Sequence, residues 1–381
     1  MHFCQTTHPI TKFGTLTKIY GKEVKMRKLF FLSVTFAFFT AAANELPDHD
    51  TLKRAEKQPG KFRFQKGNSF ADWQTAARGD LLKKLGAAQK LAAPRCDLAP
   101  KVLWSRKVKN GTITKLHLQA EKEYTLPVYL CIPEGKGPFP VWICVQGHGT
   151  GMHASISVKW QDEKTFKYDG GDRDFVLQCL DKGYAALCVE QRAMGEKSCH
   201  KNRQPGCLRL AAHALTFGET LIGNRVFDVD RAIDFIYTNK NLRKDQIGIV
   251  GNSGGGTTAI YSGAILKRLT HVMPSSCFSS YKESILAIRH CTCNYFPGML
   301  NWGDMGDLAG LCAPKYLVIV NGKTDPIFPV GPAEEEFKRA QAIYKAAGFP
   351  ERCRMVIGNG GHRFYKADAW PVMDSFLQKQ P

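Results

Sequence analysis

The stretch "GIVGNSGGG", Gly248 to Gly256, decides how this chain is read. It sets Ser253 in the pattern G-x-S-x-G directly after a short apolar run, and "TTAIYSGAIL" follows with the composition of a helix. In a chain with 35 glycines the pattern alone says little, but its setting says more. A strand that turns sharply into a helix at a serine is the nucleophile elbow, which holds the hydroxyl out from the sheet. The serine backbone is strained there, and glycine neighbours remove the side chains that would collide.

Such a hydroxyl is inert near neutral pH without a base. The chain supplies two candidates after later apolar runs. "YLVIV" leads into "NGKTDPIFP", which places Asp325 on the loop at a strand's carboxyl end, and "RMVIGNGGHRF" places His362 equivalently after the next strand. Ser253, Asp325 and His362 follow the order in which the α/β-hydrolase fold carries its triad, where loops converge at the carboxyl edge of the sheet. The oxyanion formed during acyl transfer needs two N–H donors. The amide of Gly254, after the nucleophile, is one. The loop "VWICVQGHGTG" offers the second at His148, with the His148 side chain packed rather than acting as base.

The rest of the chain fits that architecture. "KVLWSRKV" and "TITKLHLQ" alternate on either side of Asn110-Gly111, a hairpin signal, and "YTLPVYLCIP" adds a third strand. Beyond Pro138, apolar strands such as "PVWICVQ" and "YAALCVEQR" alternate with amphipathic helices such as "RVFDVDRAIDFI". Continuous apolar strands belong to a sheet covered on both faces. The predicted fold is α/β: a mostly parallel central sheet with helices on both faces, antiparallel N-terminal strands and an N-terminal helical extension. Residues 44–100 are expected to form an extended polar arm and then a helix from Phe70, capped by Ser69 and Asp72. The catalytic domain is expected over 101–381. The polar segment from Met152 to Arg173 is a candidate lid or substrate loop.

"MRKLFFLSVTFAFFTAAAN", from Met26, has a basic tip, an apolar run and small residues ending at Ala43, the layout of a secretory signal peptide cleaved after Ala43. Met26 is then the expected start. As a helix the apolar run spans about 16 Å, half of the ~30 Å hydrocarbon core, so no membrane span is expected. The protein is read as periplasmic or secreted. Of 381 residues, 53 are Lys or Arg and 34 Asp or Glu, a formal net charge of +19 that is still +14 without residues 1–43. That charge favours anionic polymers such as uronate-rich polysaccharide, and no nucleic-acid-binding signature accompanies it. Twelve cysteines follow Ala43, and Cys199 and Cys207, flanking "CHKNRQPGC", are the expected disulfide. "HCTC" at Cys291 and Cys293 lacks a second cysteine pair at zinc-site spacing, so neither a metal nor an organic cofactor is expected.

From about Phe70 to Phe376 the chain resembles α/β hydrolases of the acetyl-xylan-esterase and dienelactone-hydrolase-like branch, similar to esterase-like proteins of bacterial polysaccharide use. "QGHGTG", "VEQRAMGE", "TLIGNRVFDVDRAIDFI", "GNSGGG", "CNYFPGML", "DMGDLAGLCAPKYLVIVNGKTDPIFP" and "GGHRFY" carry the resemblance. It implies that Ser253, Asp325 and His362 are the triad of an esterase acting on carbohydrate esters, either O-acetyl groups or uronate methyl esters. Arg192, in "EQRAMGE", would brace loops or meet an acidic substrate. Many relatives read His-Gly where this chain has Gln146-Gly147, and dienelactone hydrolases carry cysteine at the elbow. Tyr295 and Trp302 are candidates to stack on a sugar ring, with anchoring of the core or a loop as the competing role of such aromatics. Two other readings compete: a serine peptidase of the prolyl-oligopeptidase type, for which the roughly 95 residues between the expected cleavage after Ala43 and the first α/β strand leave no room for a propeller, and a non-catalytic carbohydrate-binding protein, which has no use for a complete triad.

Overall fold

A computed structural model describes residues 49–57 and 60–377; the expected signal peptide lies outside them. Nine strands form one sheet: β1 (Lys101–Val108), β2 (Gly111–Glu121), β3 (Tyr124–Pro133), β4 (Phe139–Val145), β5 (Ala185–Val189), β6 (Leu242–Asn252), β7 (His271–Ser275), β8 (Tyr316–Gly322) and β9 (Cys353–Gly358). Their order is β1-β2-β3-β5-β4-β6-β7-β8-β9. The first three pair antiparallel, β3 meets β5 antiparallel, and every pairing from β5 to β9 is parallel. The described residues fall within one compact unit.

The parallel strands are apolar throughout because both sheet faces are covered. Val141, Ile143 and Val145 of β4 join a core with the helices Phe70–Lys84, Leu221–Thr238, Gly254–Ile265 and Val330–Ala346. Trp142 and Cys144 point the other way, into a core with the helices Phe175–Asp181 and Lys366–Leu377. Successive side chains thus serve opposite layers.

Two local expectations change. The polar arm contains a helix, His49–Lys57, where prolines at 47 and 59 suggested extended chain; the charged "HDTLKRAEK" between them carries no helix breaker. At the first hairpin, Lys109 and Asn110 form the turn, while Gly111 already pairs with Val108 in β2. Gly111 is small because a Cβ there would collide with the Ile132 carbonyl of β3. Among the described residues, no helix is long and apolar enough to cross a membrane.

Candidate active site

Strand β6 ends at Asn252, the next helix begins at Gly254, and Ser253 between them has φ 57° and ψ −124°. A non-glycine residue at positive φ is strained and persists only where its surroundings enforce it. Here they do. The Ser253 amide donates to the Ser275 carbonyl at 2.8 Å, and a Cβ on Gly251 would lie 2.5 Å from the carbonyl carbon of Gly255. The elbow closes only without a side chain at that position.

Asp325 and His362 follow β8 and β9 on the same carboxyl edge. His362 Nδ1 and Asp325 Oδ2 are 2.8 Å apart. The other carboxylate oxygen accepts from the amides of Ile327 at 2.9 Å and Phe328 at 3.2 Å. Burial raises the Asp325 carboxyl, but the His362 hydrogen bond and charge and these two amides outweigh it and hold it below the usual range. The two halves of the site meet through β7. The Ser275 hydroxyl lies 3.0 Å from Asn252 Oδ1 and 3.3 Å from the Arg363 carbonyl, and the Ser276 hydroxyl donates to that carbonyl at 3.0 Å. The chain neighbours of Ser253 and His362 therefore share one hydroxyl. The Phe328 ring stacks on His362 with centroids 6.1 Å apart.

The loop after β4 lies over the elbow. A Cβ on Gly147 would sit 2.7 Å from the Asn252 carbonyl and 3.1 Å from Ser253 Cβ. The His148 ring packs on Gly254, where an added Cβ would meet its Cε1 at 2.8 Å. Among the described residues, the His148 amide meets no backbone acceptor, and the Gly254 amide, first in its helix, has no intrahelical one. Gln146 bonds Ser155 and donates to the Arg173 carbonyl at 2.7 Å. It thereby ties this loop to the Met152–Arg173 segment. That segment begins as a largely buried 3-10 turn, Met152–Ile156. It returns to the site through Asp172, which pairs with Arg363 at 2.6 Å.

Other expected residues fall elsewhere. Arg192 braces the scaffold: it grips Asp228 with two bonds of 2.8 and 2.7 Å, pairs with Glu121 and covers the Tyr124 ring at 3.8 Å. Its Nε and Nη2 are thus engaged within the scaffold, by two carboxylates. Trp302 is fully buried, donates from Nε1 to the Ala77 carbonyl at 3.1 Å and packs near Phe62, so it meets no sugar. The N-terminal extension covers it. Tyr295 is half-buried, donates to the Ile285 carbonyl at 2.8 Å and lines an apolar groove with Leu208, Leu215 and Phe296.

Cys199 and Cys207 are not bridged; both thiols are free. Cys207 turns inward instead, into a group that sequence spacing did not reveal. His148, Cys207, Cys291 and Cys293 bring one ligand-type atom each within 4.8 Å of one another. The dismissal of "HCTC" as a metal motif rested on the want of a local partner pair. The fold supplies the partners from two distant segments.

No protein-family model matches the chain. A Bacillus subtilis protein described as "Putative hydrolase YtaP" is 22% identical over 262 residues, 66% of this chain and 83% of that one. Among solved structures, a "putative acetyl xylan esterase" from Bacteroides fragilis superimposes with a TM-score of 0.68 at 16% identity, covering 84% of this chain and 82% of that one. A glucuronoyl esterase from Solibacter usitatus gives 0.60 at 16% identity over 84% and 96%. The strand order, the strained serine and these superpositions agree: the chain has the α/β-hydrolase fold.

Proposed function

We propose that the protein is an exported serine esterase acting on carbohydrate esters. The observation that carries the reading is a strained serine on an elbow whose flanking residue shares a hydroxyl contact with the neighbour of an Asp-paired histidine. Ser253 attacks the ester carbonyl as His362 takes its proton, and Asp325 fixes the imidazole tautomer and stabilises the imidazolium. The oxyanion rests on the amides of Gly254 and His148. The alcohol leaves, and water, activated by the same histidine, releases the acid from acyl-Ser253. Similarity of fold to esterases of xylan acetyl and glucuronoyl groups supports a carbohydrate ester, and the basic charge suits a uronate-containing polymer.

A fluorophosphonate should label the wild type and not Ser253→Ala. Acetate release from acetylated xylan, methanol release from a methyl-esterified uronan and cleavage of a proline peptide then divide the substrate classes. Labelling that survives in Ser253→Ala overturns the nucleophile. Labelling at Ser253 with hydrolysis of the peptide alone overturns the carbohydrate ester.

A further inference from the structure

We propose that His148, Cys207, Cys291 and Cys293 form a structural zinc site that clamps the loop beside Ser253. The four ligand-type atoms lie within 4.8 Å of one another, with His148 Nε2 and Cys291 Sγ each 3.2 Å from Cys293 Sγ. Zinc–sulfur bonds of about 2.3 Å and zinc–nitrogen bonds of about 2.0–2.1 Å in a tetrahedron put neighbouring ligand atoms about 3.5–3.8 Å apart, so small side-chain rotations suffice. Three thiols and an imidazole are a soft, closed set suited to zinc. The ligands come from the loop after β4, the first turn of the helix Cys207–Thr216 and the turn before Tyr295. No single stretch holds the site, which explains its invisibility to spacing rules.

A second, independent observation is the charge of Arg225. It is 1% exposed, yet no carboxylate pairs with it among the described residues. Its Nε and Nη2 donate to the Arg192 carbonyl at 3.2 and 2.8 Å, Nη2 also approaches Cys207 Sγ at 3.5 Å, and Nη1 is buried without a partner. A buried guanidinium needs an anion. Zinc binding expels the three thiol protons to solvent, and Zn²⁺ with three thiolates and a neutral imidazole carries a net charge of −1, which one Arg225 balances. Asn294 Nδ2, 3.7 Å from Cys293 Sγ, adds a second N–H toward sulfur.

With all four positions filled by protein, the metal activates no water. It fixes His148, whose amide is the proposed oxyanion donor. This last clause rests on the proposed function; the metal site does not.

The test is the zinc content of the full chain, purified without chelators and measured by plasma mass spectrometry. One zinc per chain is expected, retained in the exposed Cys199→Ser and lost in Cys291→Ser/Cys293→Ser. If that double variant fails to fold, X-ray absorption of the wild type decides: three sulfurs at about 2.3 Å and one nitrogen at about 2.0–2.1 Å uphold the site. Folded wild type with less than about a tenth of an equivalent of zinc, taking up no Co²⁺ after thiol reduction, overturns it. So does a disulfide among Cys207, Cys291 and Cys293 in peptide mapping. Absent zinc with intact Ser253 labelling sinks only this site, and bound zinc with no labelling sinks only the esterase.

Discussion

Asp325 Oδ2 lies 2.8 Å from His362 Nδ1, while Asp325 Oδ1 is engaged by the amides of Ile327 and Phe328. The carboxylate is therefore held by its own loop before it meets the histidine. In Asp325→Asn the carbonyl oxygen keeps both amide bonds, and the side-chain NH₂ faces the imidazole and selects the wrong tautomer. We expect kcat to fall by about 10⁴, with a melting curve close to that of the wild type. Steady-state kinetics and thermal unfolding on the same preparation check both halves.

Gly147→Ala tests the loop over the elbow. The added methyl must push back the Asn252 carbonyl, 2.7 Å away, and approaches Ser253 Cβ at 3.1 Å. Displacing one oxyanion donor costs about 10²–10³ in kcat. Fluorophosphonate labelling should slow in step with ester hydrolysis, while binding of the product sugar changes little. A variant with full activity would remove the loop from the mechanism.

Glu190 sets a pH dependence of folding. Buried at the end of β5, it accepts from the amides of Met152 and Glu196, each at 3.2 Å. Burial pushes its carboxyl from 4.5 up to about 8. The unfolded chain gives up this proton near pH 4.5 and the folded chain near pH 8, so the contribution is complete below 4.5 and is lost as pH rises to 8. The slope approaches about 1.4 kcal/mol per pH unit within that window. Urea titrations at several pH values should show it in the wild type. In Glu190→Gln this part of the slope should vanish.

Trp302→Ala separates packing from recognition. Fully buried against the N-terminal extension, Trp302 should cost about 3–5 kcal/mol of stability when truncated. KM for a carbohydrate ester should stay unchanged in whatever fraction remains folded. A raised KM at unchanged stability would reverse this assignment.

What could be read without coordinates depended on how local its cause is. The elbow around Ser253 and the strand "KVLWSRKV" follow from neighbours along the chain, and β1 occupies those same residues. The placement of Asp325 and His362 was also accessible, because a loop after a parallel strand has one edge to go to. For Trp302 the sequence could not choose between core anchor and sugar contact, because its burial depends on a helix more than 200 residues earlier, whose Ala77 carbonyl it bonds. Cys207 was misassigned for a similar reason: Cys199 is its neighbour in sequence, but His148 and Cys293 are its neighbours in space. For Arg192 the sequence left bracing and substrate contact both open, and only the fold brings Asp228, inside a helix, against its guanidinium to decide for bracing.

The pairing of Asp172 with Arg363 also bears on how the site can be remodelled. Arg363 directly follows the histidine, and the Phe364 amide donates to the Gly171 carbonyl at 3.2 Å. An engineer transplanting a different insertion between β4 and β5 would be replacing one wall of His362's own anchorage. Grafts that keep Gly171 and Asp172 as a landing point leave His362 in register; shorter ones set it adrift.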